Sequence, residues 1–414
     1  MSPVSSDRHV AYVLRRFPTL VETFVSSEVR DLAKRGIYVH VLSLLNDQLD
    51  NECFTDTAVA VRTYDYRKLT DAISLGQCAI RRPAWLLHTV FAIALLLWRF
   101  PRTGAQVLLL SPKLLAFADE CDRAGVHHVH SHFAGLSSVC GMLVADMLGA
   151  SFSFMVHILP ELKCKEFRAC AEKAARILVN SERNYRAVSL VFGGALRSKV
   201  TLLRSAFLLQ FAQKRELETR TPVVDIIAVG RLVKKKGFDD LIRAIALLKN
   251  RGLCVGCRIY GAGPQRNRLN AMLSREGLEN AILVGPVEHD MIPTLLRTAR
   301  VFVMPCKHTE DPDAEDGLPA AITEALALGV PVISCDVGGI TEIVIQGATG
   351  IIVPENSPSE LAAAIERILF TPGLRAEMGR RALDRMSETY SREVAASILL
   401  DVMCGDRASL DKGR

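Results

Sequence analysis

Two acids eight residues apart carry the densest chemistry in this chain. They lie in Met304–Glu342, MPCKHTEDPDAEDGLPAAITEALALGVPVISCDVGGITE. Asp316 closes an acid-rich stretch that runs into Gly317-Leu318-Pro319, and Glu324 follows inside a short apolar segment. Pro319 stands where a first helical turn tolerates proline. Gly329 and Pro331 stop that helix, Val330–Ser334 reads as a strand, and Gly338-Gly339 open the next turn. A carboxylate pair beside a helix N-terminus, whose unpaired N–H groups attract anions, suits a ligand that carries both phosphates and hydroxyls. A nucleotide sugar has both. Taken alone, an acidic loop before an amphipathic helix is equally the pattern of a solvated cap.

The flanking residues favour the ligand. The segment resembles the donor-binding signature of family 4 retaining glycosyltransferases, in which an acid, a Gly and a hydrophobic turn precede the second acid of Glu-x7-Glu, and the helix runs Glu-Ala-Met-Ala. Here Glu324-Ala325-Leu326-Ala327 matches the helix, while Asp316 takes the first position, one methylene shorter, with Glu315 beside it. The resemblance extends from Val10 to about Ser391 and is nearest to the branch that builds bacterial exopolysaccharides such as colanic acid. It implies an α/β protein of GT-B fold, with two facing Rossmann-like, doubly wound domains and a cleft between them. The corresponding divisions are residues 1–205 for the acceptor, 206–222 as a linker, 223–385 for the nucleotide sugar, and 386–414 as a last helix crossing back to the first domain, with a tail.

The elements that must position these groups are readable. His9–Leu14, a helix to about Arg35, then Tyr38–Leu45 make a βαβ opening of a parallel sheet. The first turn, Arg16-Phe17-Pro18-Thr19-Leu20, lacks the Gly-x-Gly-x-x-Gly of a dinucleotide site. AYVLRRFPTLVETF instead resembles the opening of the exopolysaccharide branch, with Val21 where that branch has Ser. Glu22 and Thr23 are candidates for the acceptor side, or for a helix cap. In VHHVHSHF, His128, His130 and His132 alternate and so share one face of a strand. They invite a metal, but no carboxylate lies at ligand spacing and the family has a similar strand without one. His132, at the strand end, is the one expected to approach ligand. SFSFMVH (Ser151–His157) resembles the family's Ser-Phe-x-x-His turn, where the His approaches the donor sugar and acceptor. The family has an acid two or three positions on; here Glu161 is the first. At Arg204–Phe211, RSAFLLQF replaces a common Gly-Val-Asp turn.

The second half opens on an apolar strand, Val223–Val229, followed by Gly230-Arg231-Leu232-Val233-Lys234-Lys235-Lys236-Gly237-Phe238 and a helix from Asp239. Three lysines in a row are ordinarily a solvated run. The resemblance places Gly230, Arg231 and Lys236 on the donor diphosphate. The chemistry wants cations there, because negative charge grows on the departing nucleoside diphosphate as the glycosidic bond breaks. They act without a metal, and no cofactor is implied. Gly261-Ala262-Gly263-Pro264 matches a family turn beside the nucleotide, and Gly285-Pro286-Val287 closes a strand at the base pocket. The implied donor residues are thus Gly230, Arg231, Lys236, Gly263, Asp316, Gly317, Leu318 and Glu324. Those at the chemistry are His157, Asp316, Arg231 and Lys236, with Glu22, Thr23, His132 and His157 on the acceptor side. No nucleophile is assigned.

The bulk properties agree. With 414 residues, 49% hydrophobic and 23% charged, the chain has the composition of a two-domain globular protein. Its first residues, MSPVSSDRHV, are polar and unlike a signal peptide, and its 11 cysteines show no disulfide framework, which fits a reducing cytoplasm. Cys254-Val255-Gly256-Cys257 has no partner pair and reads as structural. All of the net charge of +6 comes from residues 1–205, with 25 Lys/Arg against 18 Asp/Glu. A basic half binds phosphorylated substrates or anionic lipid, and nothing here resembles a nucleic-acid module. The most apolar stretch, Ala84–Trp98, makes a helix of roughly 22 Å, short of the ~30 Å of a bilayer core. With tryptophans at its ends and arginines outside them, it is either a buried helix or one lying in a membrane interface. The expectation is a glycosyltransferase on the inner face of the plasma membrane, moving sugar with retention from a nucleotide sugar to a lipid-linked saccharide. The alternatives are a sugar-nucleotide epimerase of the same fold, and a degenerate relative that binds without catalysing.

Overall fold

The computed structural model describes residues 8–17, 23–45, 58–62, 81–204, 224–309 and 318–405. The chain divides into two compact units: Met1–Asn180, Asn184–Phe207 and Glu393–Arg414 form the first, and Ser181–Arg183 with Leu208–Arg392 the second.

Unit 1 is built on seven strands, β1 (Arg8–Leu14), β2 (Ile37–Ser43), β3 (Val59–Arg62), β4 (His128–His132), β5 (Ser151–Val156), β6 (Arg176–Val179) and β7 (Val200–Leu202). All pair in parallel in the order β3-β2-β1-β4-β5-β6-β7. Helices α1 (Thr23–Lys34), α2 (Pro83–Arg99), α3 (Pro101–Ala124), α4 (Leu136–Leu148), α5 (Phe167–Lys173) and α6 (Glu182–Leu190) connect them. A parallel sheet covered on both faces needs apolar side chains on both sides of each strand. Val10, Ala11, Tyr12 and Val13 of β1, consecutive in sequence, are accordingly all fully buried.

Unit 2 repeats the plan with β8 (Val224–Val229), α7 (Phe238–Asn250), β9 (Cys257–Tyr260), α8 (Arg266–Arg275), β10 (Ala281–Gly285), α9 (Ile292–Arg297), β11 (Ala299–Met304), α10 (Ala320–Ala327), β12 (Val332–Ser334), β13 (Gly350–Ile352), α11 (Pro358–Phe370) and α12 (Leu374–Thr389). Its six strands are parallel in the order β10-β9-β8-β11-β12-β13. In each unit the strand order reverses beside the first strand, between β1 and β4 and between β8 and β11. Ligands of open parallel sheets bind at such switch points, outside the carboxyl ends of the strands.

Several local expectations are corrected. β3 and β13 come from segments whose patterns did not announce strands. The stretch 358–404 forms three helices, broken at Gly373, which takes φ +77°, and at Tyr390-Ser391, so the last helix begins at Arg392 and not at residue 386. Of the Cys-x-x-Cys pair, Cys254 is exposed ahead of β9 and Cys257 is buried at its start. The final helix, α13 (Arg392–Cys404), falls almost wholly in unit 1, where the Tyr12 hydroxyl lies 3.9 Å from Met403 Sδ. Glu22, Glu315, Asp316, Gly317 and Ser205–Phe211 lie outside the described residues.

Candidate active site

At the unit 2 switch point the loop after β8 is shaped by its neighbour after β9. The Gly230 N–H donates to the Tyr260 carbonyl (3.0 Å), the Leu232 N–H to the Ala262 carbonyl (2.8 Å), and the Gln265 N–H to the Leu232 carbonyl (3.0 Å). Contact this close leaves no room for side chains at two positions. A Cβ on Gly261 would fall 1.9 Å from the Gly230 carbonyl oxygen, and one on Gly263 2.6 Å from that of Leu232. Both residues also take positive φ, +147° and +156°. Gly263 therefore acts first as the support of the Arg231 loop.

That loop sorts the lysines by burial. Lys234 is exposed, but Lys236 is 8% exposed and its stem lies beside Gly230. Arg231 is exposed at the strand's carboxyl end. The β11 exit reaches the same place, with the Lys307 N–H donating to the Lys235 carbonyl (2.9 Å). Lys307 Nζ bonds Asp239 Oδ1 at 2.9 Å and Asp240 Oδ2 at 2.8 Å, in the first turn of α7. Burial pulls its pKa down, but the two aspartates outweigh that and hold it above the ordinary lysine value. Lys307 thus neutralises two acids that would otherwise repel an anion at this edge. Nothing in the sequence marked it, since its partners lie far upstream.

Leu318 and Pro319 lead into α10, whose N-cap is Pro319 in extended conformation. Glu324, in the middle of this eight-residue helix, is buried at 4% exposure and accepts a hydrogen bond from His289 Nε2 at 2.9 Å. His289 sits in the turn before α9 and was likewise unmarked. Glu324 is therefore a fixed group, with Oε1 already engaged.

In unit 1 the three alternating histidines do share a face. His128 Nε2 and His130 Nδ1 each lie 2.7 Å from the Ser153 hydroxyl of β5. His132 Nδ1 lies 3.0 Å from His157 Nε2, and its Nε2 lies 3.4 Å from Glu28 Oε1. Glu28, on α1, accepts a 2.6 Å bond from the Tyr12 hydroxyl. The result is a buried line, Tyr12–Glu28–His132–His157, under the turn that ends β5. His132 is 1% exposed and serves to hold His157. The expectation that no carboxylate accompanies these histidines is also corrected. Glu28, His130 and His132 bring ligand atoms within 4.8 Å of one another, a grouping that could hold a metal ion.

His157 is 7% exposed, and its ring packs against Phe24 (4.9 Å between centroids) and Phe133 (4.5 Å). Phe133 is in the left-handed region, φ +66°, an uncommon state for a bulky residue. Glu161 fixes the turn by accepting three backbone N–H groups: His157 (2.8 Å), Ile158 (3.0 Å) and Ala134 (2.6 Å). Its displaced position in sequence therefore has a structural use, tying the ends of β4 and β5 together. Burial raises its pKa to about 7 although the three N–H bonds oppose this. Thr23 is the first residue of α1.

The comparisons with known proteins fit this arrangement. The model of the family "Glycosyl transferases group 1" matches residues 210–385. An Escherichia coli protein named "Putative colanic acid biosynthesis glycosyltransferase WcaL" is 31% identical over 408 residues, 93% of this chain and 97% of that protein. The chain belongs to the group 1 glycosyltransferases. The transferase is also 27% identical to the amylovoran biosynthesis glycosyltransferase AmsK of Erwinia amylovora, over 87% of its own length and 90% of AmsK. Among solved structures, Alr3699/HepE of Anabaena in complex with UDP superposes with a TM-score of 0.70 at 15% identity, over 96% of the transferase and all of that chain. TarM gives a TM-score of 0.70 at 12% identity, over 98% of the transferase. The two parallel-sheet α/β units are those of GT-B glycosyltransferases.

Two expectations follow. A Gly263→Ala substitution forces a methyl into the Leu232 backbone and should cost about 2 kcal/mol or more; a melting temperature equal to wild type would contradict the packing. The second concerns acid. Burial, aided by His127, holds His128 at about 3, and burial with neighbouring histidines holds His130 and His157 well below the ordinary value. Their folded pKa values are depressed, so the stability they contribute is complete above about pH 6.5 and is lost as pH falls; for His128 the loss continues down to about 3. Each should add about 1.4 kcal/mol of destabilisation per pH unit in that window. Glu161, with its raised pKa, acts oppositely: its contribution is complete below the usual carboxylate range and is lost as pH rises through about 7. Melting temperatures should fall on acidification, and less steeply for His128→Asn.

Proposed function

We propose that this transferase moves a sugar, with retention of configuration as in family 4, from a nucleotide sugar to a lipid-linked saccharide during exopolysaccharide assembly. The reading is supported by the relatives named for amylovoran and colanic acid biosynthesis. What carries it chemically is the unit 2 switch point. There a buried lysine, Lys236, and an exposed guanidinium, Arg231, stand on a loop braced by Gly261–Gly263, with Glu324 on the helix after β11.

Arg231 and Lys236 stabilise the charge that develops on the departing diphosphate. Glu324 anchors ribose hydroxyls, and its His289 bond presents it in one orientation. Asp316 and the N–H groups of Gly317-Leu318 hold the sugar and phosphate at the start of α10. By the family resemblance, His157, Glu22 and Thr23 serve the acceptor side. Attack on the donor face through an oxocarbenium-like state needs no protein nucleophile. The acceptor is met at the inner surface of the plasma membrane, to which the basic first half is drawn.

Purified protein with bacterial membranes should transfer label from one member of a panel of nucleotide sugars. No transfer from any donor, together with no nucleotide-induced thermal shift, would refute the reading. Lys236→Ala and Glu324→Ala should each abolish donor binding in titration calorimetry, and unchanged affinity in either would show the donor site misplaced. Because the two cations do the electrostatic work, transfer should proceed at an unchanged rate in EDTA; a metal-dependent rate would point instead to a bound ion.

A further inference from the structure

The strongest feature that transfer leaves unexplained is the outer face of the α2–α3 hairpin. α2 buries a narrow stripe, Thr89, Ile93 and Leu96, against unit 1. Its opposite face is as apolar as the buried one. Leu87 and Phe91 are each 72% exposed, Val90 57%, Leu95 47% and Trp98 81%; on α3, Leu108 is 51% and Leu109 73% exposed. The positions 87, 91, 95 and 98 recur at helical spacing, so they form one stripe, not scattered single residues. A contiguous apolar face of this kind marks an interaction surface. The expectation of a buried helix thus holds for one side of α2 only.

Charge and shape identify the occupant. From Pro83 to Ala118 the sequence contains no acid. The carboxylates beyond are neutralised: Asp119 pairs with Arg82 (3.5 Å) and Arg123 (2.9 Å), Asp122 with Arg82, and Glu120 with Arg62 (2.8 Å). At the other end, the turn between the helices carries Arg99 and Arg102, both exposed, next to Trp98. The turn is tight because a Cβ on Gly104 would fall 2.6 Å from the Leu97 nitrogen, so the two helices meet backbone to backbone. The hairpin presents an apolar plane, an indole at its rim and two exposed arginines; Glu166, which reaches the same turn, is engaged by the Thr103 hydroxyl and the Cys164 thiol. No helix among the described residues is long and apolar enough to cross a membrane. Leucine, phenylalanine and an edge tryptophan beside arginine are the composition of a segment that lies in the headgroup layer.

We infer that the α2–α3 hairpin docks this enzyme on an anionic lipid surface, with Leu87, Phe91, Trp98 and Leu109 entering the interface and Arg99 and Arg102 facing lipid phosphates. The inference rests on the membrane setting proposed above, but vesicle binding is read without donor or acceptor, so the two can fail separately. The chain has two tryptophans, and Trp85 is half-buried under Arg82, whose guanidinium lies 4.7 Å from the ring. In a Trp85→Phe background, Trp98 reports alone.

The test is flotation of the full chain with phosphatidylcholine vesicles, with and without phosphatidylglycerol, alongside Trp98 emission. Flotation with the mixed vesicles and a blue shift of Trp98 are expected. A double Leu87→Ser, Phe91→Ser variant should bind about tenfold more weakly or worse while melting as wild type. Arg99→Gln with Arg102→Gln should remove the preference for phosphatidylglycerol. Trp98→Ala provides a second variant at an exposed position should the serine pair misfold. Wild-type protein that floats with neither vesicle, or apolar-face variants that float as well as wild type, would overturn the inference. So would a dimer in sedimentation that Leu87→Ser, Phe91→Ser splits, which would give the face to a second copy of the chain.

Discussion

Parallel strand pairing is the constraint from which the functional geometry descends. A strand that must run alongside its neighbour in the same direction has to be reached by a crossover, and every strand-to-helix loop then emerges on one edge of the sheet. In unit 2 this gathers residues from distant stretches of chain: the loop after β8 with Arg231 and Lys236, the glycine turn after β9, Lys307 after β11 and Glu324 on α10. In unit 1 it brings His132, at the end of β4, against His157 after β5. Neither grouping requires contacts improvised between unrelated surfaces, because the hydrogen-bond ladder of the sheet sets the distances.

The two edges use polar residues differently. The unit 2 edge keeps the Arg231 guanidinium in reach of solvent and neutralises its own acids, as the Lys307 bridge to Asp239 and Asp240 shows. The unit 1 edge is nearly closed. There Tyr12, Glu28, His132 and His157 stack inward from the turn, and Glu161 takes up three N–H groups that would otherwise lack partners. A buried polar network of this kind favours one arrangement, and the burial around it holds His157 well below the ordinary histidine value.

Much of this was legible in the sequence. Apolar runs bounded by glycine gave most strands, and the alternation in VHHVHSHF correctly placed three histidines on one face. The helix around Glu324 and its proline entry were equally plain. What escaped has a common physical origin: its signal lies in a partner remote along the chain. Glu28 meets His132, His289 meets Glu324 and Lys307 meets Asp239 only after the sheets form. The Ala84–Trp98 helix is a different case. A segment apolar on every side carries no periodicity to say which face is covered, so only packing could separate Leu96, which is buried, from Trp98, which is not. The short strands β3 and β13 were missed because three or four residues are too few to display a pattern.

The place of α13 has a consequence for how the molecule is made. Tyr12 and Met403, 391 positions apart, meet inside unit 1. A ribosome releases the first sheet long before the helix that packs on it, and nearly all of unit 2, Leu208–Arg392, is synthesised in between. Unit 2 has no such debt to a later segment and can mature first, although it is translated second. The N-terminal unit must wait with an apolar seam open until the last helix emerges, which makes that interval the stage at which a chaperone has most to protect.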